Sequence, residues 1–202
     1  MTAISLDDIT GVILAGGAGR RMDGRDKGLL PFGDRALVEW AIDALAPQVG
    51  SLLISANRNI DSYSRYGLPV VRDSEPGFNG PLAGVLSAMR SARTPWILTL
   101  PCDAPFPPPD LGRRLGAEIA KRTADLAIAT DGTRRHSLHA LLPAALASDL
   151  ADFLAAGDRK VELWQRRHQI AQADFSDCPE AFLNLNTPDD ARRAEARFVK
   201  RP

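Results

Sequence analysis

Short apolar runs alternate with stretches of helical spacing over the first two thirds of the chain, and this alternation restricts the fold more than any other feature. Residues 11–15, 51–56, 70–71, 96–100 and 125–130 read as strands, the first as a continuous apolar run. Between them, residues 36–46 place Leu37, Trp40, Ala41, Ala44 and Leu45 on one helical face, stopped by Pro47. A short polar helix is expected before residue 70. Pro81 opens a second helical face of Leu82, Val85, Leu86 and Met89, and residues 110–121 form another helix. Strands buried on both faces and separated by helices predict an α/β chain with a mostly parallel central sheet and helices on both faces.

The last third is less regular. Residues 138–142 read as a strand antiparallel to its neighbour through the Asp131-Gly132 turn, which gives the sheet a short antiparallel C-terminal part. Residues 144–155 and 160–167 look helical, and 170–174 and 182–185 are short strand candidates. Residues 188–198 read as a charged helix with Thr187 as its N-cap. No repeat, low-complexity tract or linker divides the 202 residues, so one domain is expected.

The first strand runs straight into Gly16, Gly17 and Gly19, and then Arg20, Arg21, Arg25 and Lys27. Glycines after a buried strand permit close backbone approach, and such a loop can turn several N–H groups toward an anion. Four cations within eight residues of Gly19 suit a polyphosphate. The dinucleotide fingerprint fails, because its third glycine falls on Met22; the P-loop pattern fails at Arg25-Asp26. In open sheets of this kind ligands bind beyond the carboxyl ends of the strands. There the sequence places the glycine loop, Asn57, Asp73 and Asp103, so four strand ends share one crevice.

Charge balance sharpens the argument by being local. Lys+Arg and Asp+Glu both number 25, so bulk charge offers nothing to a nucleic acid or a membrane surface. Cys102 and Cys178 lie far apart without a C-x-x-C pair, which predicts neither a disulfide framework nor a zinc site and suits a reducing cytoplasm. No apolar run has the length of a membrane span, and the N-terminus with Asp7 and Asp8 lacks a signal-peptide pattern.

Asp103, held between Pro101 and Pro105, supplies the single hard oxygen ligand that Mg²⁺ needs beside phosphate oxygens and waters; a turn-forming Asp is the alternative. Asp73 fits either an Asx turn or an acceptor for ribose hydroxyls or purine N–H groups. Lys27 is either half of a surface pair with Asp26 or a phosphate ligand, the cationic loop favouring the second. Arg134-Arg135-His136 reads as a solvated hairpin tip, and Arg166-Arg167-His168 as a solvated patch. No Ser-His-Asp arrangement is present in the sequence pattern.

Leu14-Ala15-Gly16-Gly17, Arg20-Arg21-Met22 and Asp26-Lys27-Gly28 resemble the signature of the nucleotidyltransferases that build nucleotide sugars and modified cofactors. Gly80-Pro81-Leu82-Ala83-Gly84, Pro101-Cys102-Asp103 and Asn184-Leu185-Asn186-Thr187-Pro188 narrow the likeness to the molybdenum cofactor guanylyltransferases, which join GMP to molybdopterin. The resemblance implies a Rossmann-like nucleotidyltransferase fold over residues 1–202, its N-terminal part binding GTP and its C-terminal part mainly molybdopterin. It implies that Leu14, Ala15, Gly16, Gly17, Lys27, Ser55, Asn57, Asp73 and Asp103 serve GTP. Asp103 would hold Mg²⁺, for which Mn²⁺ could substitute. Arg21 and Lys27 would stabilise charge during transfer, and Asn184 and Asn186, with the basic residues near His136, would face the pterin.

Ser55 stands where the family often has Asn, and Ser137 follows His136 where the family has proline, so no role is carried to His136. Transient contacts with cofactor-delivery proteins and recipient molybdoenzymes are also implied. The neighbouring readings are a molybdopterin cytidylyltransferase, a nucleotide-sugar pyrophosphorylase, or a nucleotide-binding protein without catalysis. The cytidylyl branch usually carries Leu-Ala-Ala-Gly, so Gly17 favours guanine.

Overall fold

The computed structural model describes residues 4–16, 26–73 and 80–185, together with residues 190, 192 and 194. Strand β1 (Ile9–Leu14) is followed by a short 3-10 turn at Lys27–Leu29 and a two-stranded hairpin, β2 (Pro31–Phe32) and β3 (Arg35–Ala36). Helix α1 (Leu37–Leu45), β4 (Ser51–Ser55), α2 (Ile60–Ser64), β5 (Val70–Val71), α3 (Pro81–Ser91) and β6 (Trp96–Pro101) come next. Then follow α4 (Leu111–Arg122), β7 (Leu126–Thr130), β8 (Arg135–Pro143), α5 (Ala147–Ala155), α6 (Val161–Gln165) and β9 (Ile170–Asp174).

Seven strands form one sheet in the order β5-β4-β1-β6-β8-β7-β9. Every pairing is parallel except those of β8, which runs against both β6 and β7. The antiparallel element expected from the Asp131-Gly132 turn is therefore present, but it lies inside the sheet, while the last strand, β9, is parallel to β7 at the edge.

Alternate residues of each central strand enter opposite cores. Ile13, Leu98, Leu100 and Ala127 face one layer with α1 and α4; Val12, Ile97 and Ile128 face the other with α3, α5 and α6. This two-sided burial is why the strands read as continuous apolar runs. Each fully buried Leu or Ile here contributes about 1.5–3 kcal/mol relative to exposure. A third, smaller cluster matters for the crevice. Phe32 of the hairpin, Trp40 of α1 and Phe106, three residues beyond Asp103, meet with ring centroids 5.5–5.9 Å apart. Trp40 Nε1 donates to the Phe32 carbonyl at 3.0 Å, so the segment after Lys27 is pinned to the loop after Asp103.

Residues 182–185 do not form the expected strand. Pro179 instead starts a 3-10 turn, Pro179–Phe182, and the free edge of β7 is already taken by β9. The chain then passes back to the crevice, where Leu185 N donates to the Asp103 carbonyl at 2.7 Å. Asp190, Arg192 and Ala194 are helical, in keeping with the expected C-terminal helix; its Thr187 cap and Asn186 lie outside the described residues.

Gly50 marks the tightest backbone crossing near the start of the chain. Its N–H donates to the carbonyls of Leu6 and Ile9, and a Cβ there would meet Asp7 Cα at 2.8 Å. Because backbone cannot swing aside, Gly50→Ala is expected to destabilise the fold by about 1–3 kcal/mol, read as a lower urea midpoint with an unchanged m-value.

Candidate active site

Parallel registration places the crevice. Leu14 at the end of β1 stands opposite Ser55 of β4 and Pro101 of β6, so three strands finish level with one another. Backbone bonds carry the alignment past the strand ends: Ala15 N donates to the Ser55 carbonyl at 2.8 Å, and Cys102 N to the Leu14 carbonyl at 3.1 Å.

On one side of Gly16 the Asn57 amide and Asp73 form a reciprocal pair. Asn57 Nδ2 donates to Asp73 Oδ2 at 2.7 Å, while Asp73 N donates to Asn57 Oδ1 at 2.9 Å. A Cβ on Gly16 would sit 3.4 Å from Asn57 Nδ2, so the glycine, the amide and the carboxylate are neighbours. Burial raises the Asp73 pKa above the ordinary carboxylate range, opposed by the bond from Asn57.

On the other side Lys27 Nζ donates to Asp103 Oδ2 at 3.0 Å, both side chains being partly buried. The surface pair between Lys27 and Asp26 does not form. Asp26 is turned into the protein, where Tyr63 Oη donates to its Oδ1 at 2.6 Å and Asn59 Nδ2 to its Oδ2 at 3.0 Å. Burial, and then the bond to Asp26, push the Tyr63 phenol far above its usual range, so it remains a donor. Burial likewise pushes the Cys102 thiol up, with Asp103 adding to the effect. Buried and held as a thiol, Cys102 has the character of a structural rather than a reactive cysteine.

Of the sequence-based set, Leu14, Ala15, Gly16, Asn57, Asp73, Lys27 and Asp103 all meet at this edge. Ser55 is turned inward. It is 2% exposed, and a Cβ on Gly84 of α3 would meet its Oγ at 2.5 Å, so the hydroxyl meets α3 rather than the crevice. Gly17, Arg21 and Asn186 lie outside the described residues.

Beside Asp103 a cavity of about 620 Å³ opens between the start of β8, α6 and Asn184. Its cations are Arg134, Arg135, Lys160 and Arg166, and Pro101 forms part of its wall. Arg134 to His136 of one patch read as solvated and Arg166 of the other thus line one cavity, while Arg167 and His168 turn to Asp149. Sequence spacing could not bring residues 134, 160 and 166 together; only the reversal of β8 does. Pairing of β8 with β6 stops at Ala140 opposite Thr99, so Arg135 to His139 extend along the crevice. The Asp131 side chain fixes the turn, accepting from Thr133 and Arg134 N–H at 2.8 Å each, with His136 Nε2 2.8 Å from Oδ2. His136 stacks on Phe182 at 4.3 Å.

His139 lies beneath, buried against His136 and Phe182, with no protein partner for Nε2 among the described residues.

The described residues hold no group of three or more His, Cys, Asp or Glu side chains able to cage a metal. None of their helices is long and apolar enough to cross a membrane. Cys102 and Cys178 are free thiols.

Level strand ends, a lysine meeting a carboxylate and a basic cavity alongside suit an α/β protein that handles phosphorylated substrates, and its relatives give the class: an α/β nucleotidyltransferase. Residues 11–173 match the MobA-like NTP transferase domain, and the chain belongs to that family. It is 43% identical over 185 residues to a molybdenum cofactor guanylyltransferase of Shewanella loihica, covering 92% of this chain and 94% of the relative. It is 46% identical over 198 residues to that of Cupriavidus pinatubonensis, covering 96% and 99%. Among solved structures it is similar to molybdopterin-guanine dinucleotide biosynthesis protein A from Archaeoglobus fulgidus, with a TM-score of 0.79 and 25% identity. That match covers 95% of this chain and 100% of the other.

Burial, and then the neighbouring His136, bring the His139 pKa from 6.5 down to about 3. The unfolded chain takes up a proton below pH 6.5 that the folded chain refuses until about pH 3, so this residue costs stability as pH falls through that window. Asp131 and Asp177, whose pKa values are lowered chiefly by hydrogen bonds, act only below the ordinary carboxylate range. Asp73, with its raised pKa, works in the opposite direction but is common to both proteins, so from pH 7 to pH 5 the melting temperature of the parent is expected to drop relative to that of His139→Gln; parallel profiles in the two proteins would contradict this.

Proposed function

We infer that this chain transfers GMP from GTP to the phosphate of molybdopterin, releasing pyrophosphate and forming the guanine dinucleotide cofactor. The observation that carries the reading is the Lys27–Asp103 pair at the level strand ends, flanked by the Asn57–Asp73 pair on one side and the basic cavity on the other. Near-full-length relatives named molybdenum cofactor guanylyltransferase agree with it. A single domain then divides its work, with residues up to Asp103 serving the nucleotide and the later part serving the pterin.

In this reading the backbone of Leu14, Ala15 and Gly16, with Asn57 and Asp73, holds the nucleoside. Asp73 accepts from ribose hydroxyls or from guanine N–H groups. Lys27 neutralises the triphosphate, helped by Arg21, which is assigned with Gly17 and Asn186 on family resemblance alone. Asn184 and the cations Arg134, Lys160 and Arg166 hold the phosphate of the second substrate, whose oxygen attacks the α-phosphorus as the bond to pyrophosphate breaks. That phosphate is already ionised near neutral pH, so no general base is required, and catalysis rests on alignment and charge stabilisation.

Asp103 fits Mg²⁺ that arrives with the triphosphate, because one carboxylate suffices when phosphate oxygens and waters fill the other positions. When bound, the ion would neutralise charge on the departing pyrophosphate. Lys27 would then exchange its carboxylate partner for phosphate oxygens. The free, buried Cys102 accords with a reducing, cytoplasmic setting. Brief contacts with cofactor-delivery proteins and recipient enzymes would complete the role.

Pyrophosphate release should require GTP, molybdopterin and Mg²⁺ together; turnover with CTP alone would move the chain to the cytidylyl branch, and turnover with sugar phosphates to the pyrophosphorylases. Asp103→Ala is expected to lower kcat at least about a hundredfold while retaining the circular dichroism of the parent. In Arg134→Ala/Lys160→Ala the KM for molybdopterin should rise about tenfold or more with GTP affinity unchanged, since two charge-assisted contacts are lost. A rise in the GTP dissociation constant instead would place the cavity in the nucleotide half.

A further inference from the structure

Asp26 is the least expected carboxylate in the molecule. It stands between Arg25 and Lys27 in the sequence, yet its side chain is 4% exposed and is held from three directions by the segment that follows β4. Tyr63 Oη and Asn59 Nδ2 donate to separate oxygens, and Arg58 Nε lies 3.6 Å from Oδ2. Burying a carboxylate is costly unless it is fully satisfied, so this arrangement is demanding to maintain.

Its geometry has one evident consequence. The Asp26 carbonyl accepts from Leu29 N and the Lys27 carbonyl from Leu30 N, so the turn that carries Lys27 begins at the anchored residue. The turn is also seated on the tyrosine: a Cβ on Gly28 would lie 2.5 Å from Tyr63 Oη. Ring, carboxylate and glycine thus fix the position and direction of the Lys27 backbone, from which Nζ reaches Asp103. Asn59 holds a left-handed conformation, φ 51°, that directs its amide inward, while Asn57, two residues earlier, points to Asp73 and Gly16. One short segment therefore contacts both halves of the nucleotide crevice.

We propose that Tyr63 and Asn59 are positioning residues for the transfer reaction: by holding Asp26 they fix the turn that aims Lys27 at the triphosphate and Asp103. The proposal rests on the nucleotidyl-transfer reading above, and neither residue touches substrate in it. A cation on a flexible four-carbon stem gains alignment only from the backbone that carries it, and misplacement by about 1 Å can cost up to a hundredfold in rate.

The test is a double-mutant cycle on the full chain with Tyr63→Phe, which keeps the ring beneath Gly28 and removes only the donor. Wild type, Tyr63→Phe, Lys27→Ala and the double variant are titrated by calorimetry with whichever of GTP and CTP the wild type binds. An error in the nucleotide reading thus leaves the cycle intact. Turnover is measured on the same four proteins. Tyr63→Phe is expected to lower kcat about tenfold, to weaken nucleotide binding, and to leave the KM for molybdopterin unchanged.

In the Lys27→Ala background the same change should have no further effect, because there is no ammonium left to aim. A full-sized effect that persists in that background overturns the proposal. So does a loss confined to melting temperature with kcat per folded molecule intact, and so does a Lys27→Ala variant that behaves as wild type. Asn59→Gly, tolerated at a positive φ, repeats the cycle without altering the tyrosine and should give the same non-additivity, including where Tyr63→Phe does not fold.

Discussion

The position of β1 between β4 and β6 is the constraint on which the rest depends. Its register sets Leu14 level with Ser55 and with Pro101; Gly16, Asn57 and Asp103 follow from those three ends, and Asp73 from β5, which pairs with β4. A slip of one residue would turn Val12 and Ile13 into the wrong layers and separate Gly16 from Asn57 and Asp103 at once. The two cores that clamp the sheet are therefore also what keeps the site assembled.

Much of this architecture was legible in the chain because two-sided burial leaves a plain mark. The runs at 96–100 and 125–130 and the helix opened by Pro81 appear within a residue or two of their expected limits. What escaped was long-range. Whether β8 pairs beside β7 alone or also slides next to β6 depends on which sheet edge is open, and local pattern carries no record of that. Residues 182–185 had strand-like composition, but the edge they would have occupied was filled by β9.

The site divided along the same line. Lys27, Asp73 and Asp103 were recognisable as ends of strands or as members of a charged loop. Arg134, Lys160 and Arg166 were not recognisable as one surface, since exposed cations on separate turns look like ordinary solvated charge. Asp26 misled in the opposite sense. Its neighbour in sequence is a lysine, yet its partners are Tyr63 and Asn59, more than thirty residues away. A zero net charge likewise gave no sign that Arg134, Arg135, Lys160 and Arg166 line one cavity.

The reversed strand has a consequence for how such a molecule can change. On the side of Asn57, Asp73 and Asp103 the polar groups follow strand ends, so their spacing is tied to the sheet that the core residues support. On the other side β8 brings its beginning to the same edge, and Arg134 to Ser137 precede its shared pairing with β6. Side chains there can be exchanged without touching the rungs to β6, while Arg135 and His136 stay paired with Thr130 and Ala129 of β7. The side chains on the β8 side of the crevice can thus change while those that follow the parallel strands stay fixed, a division of labour written into strand direction.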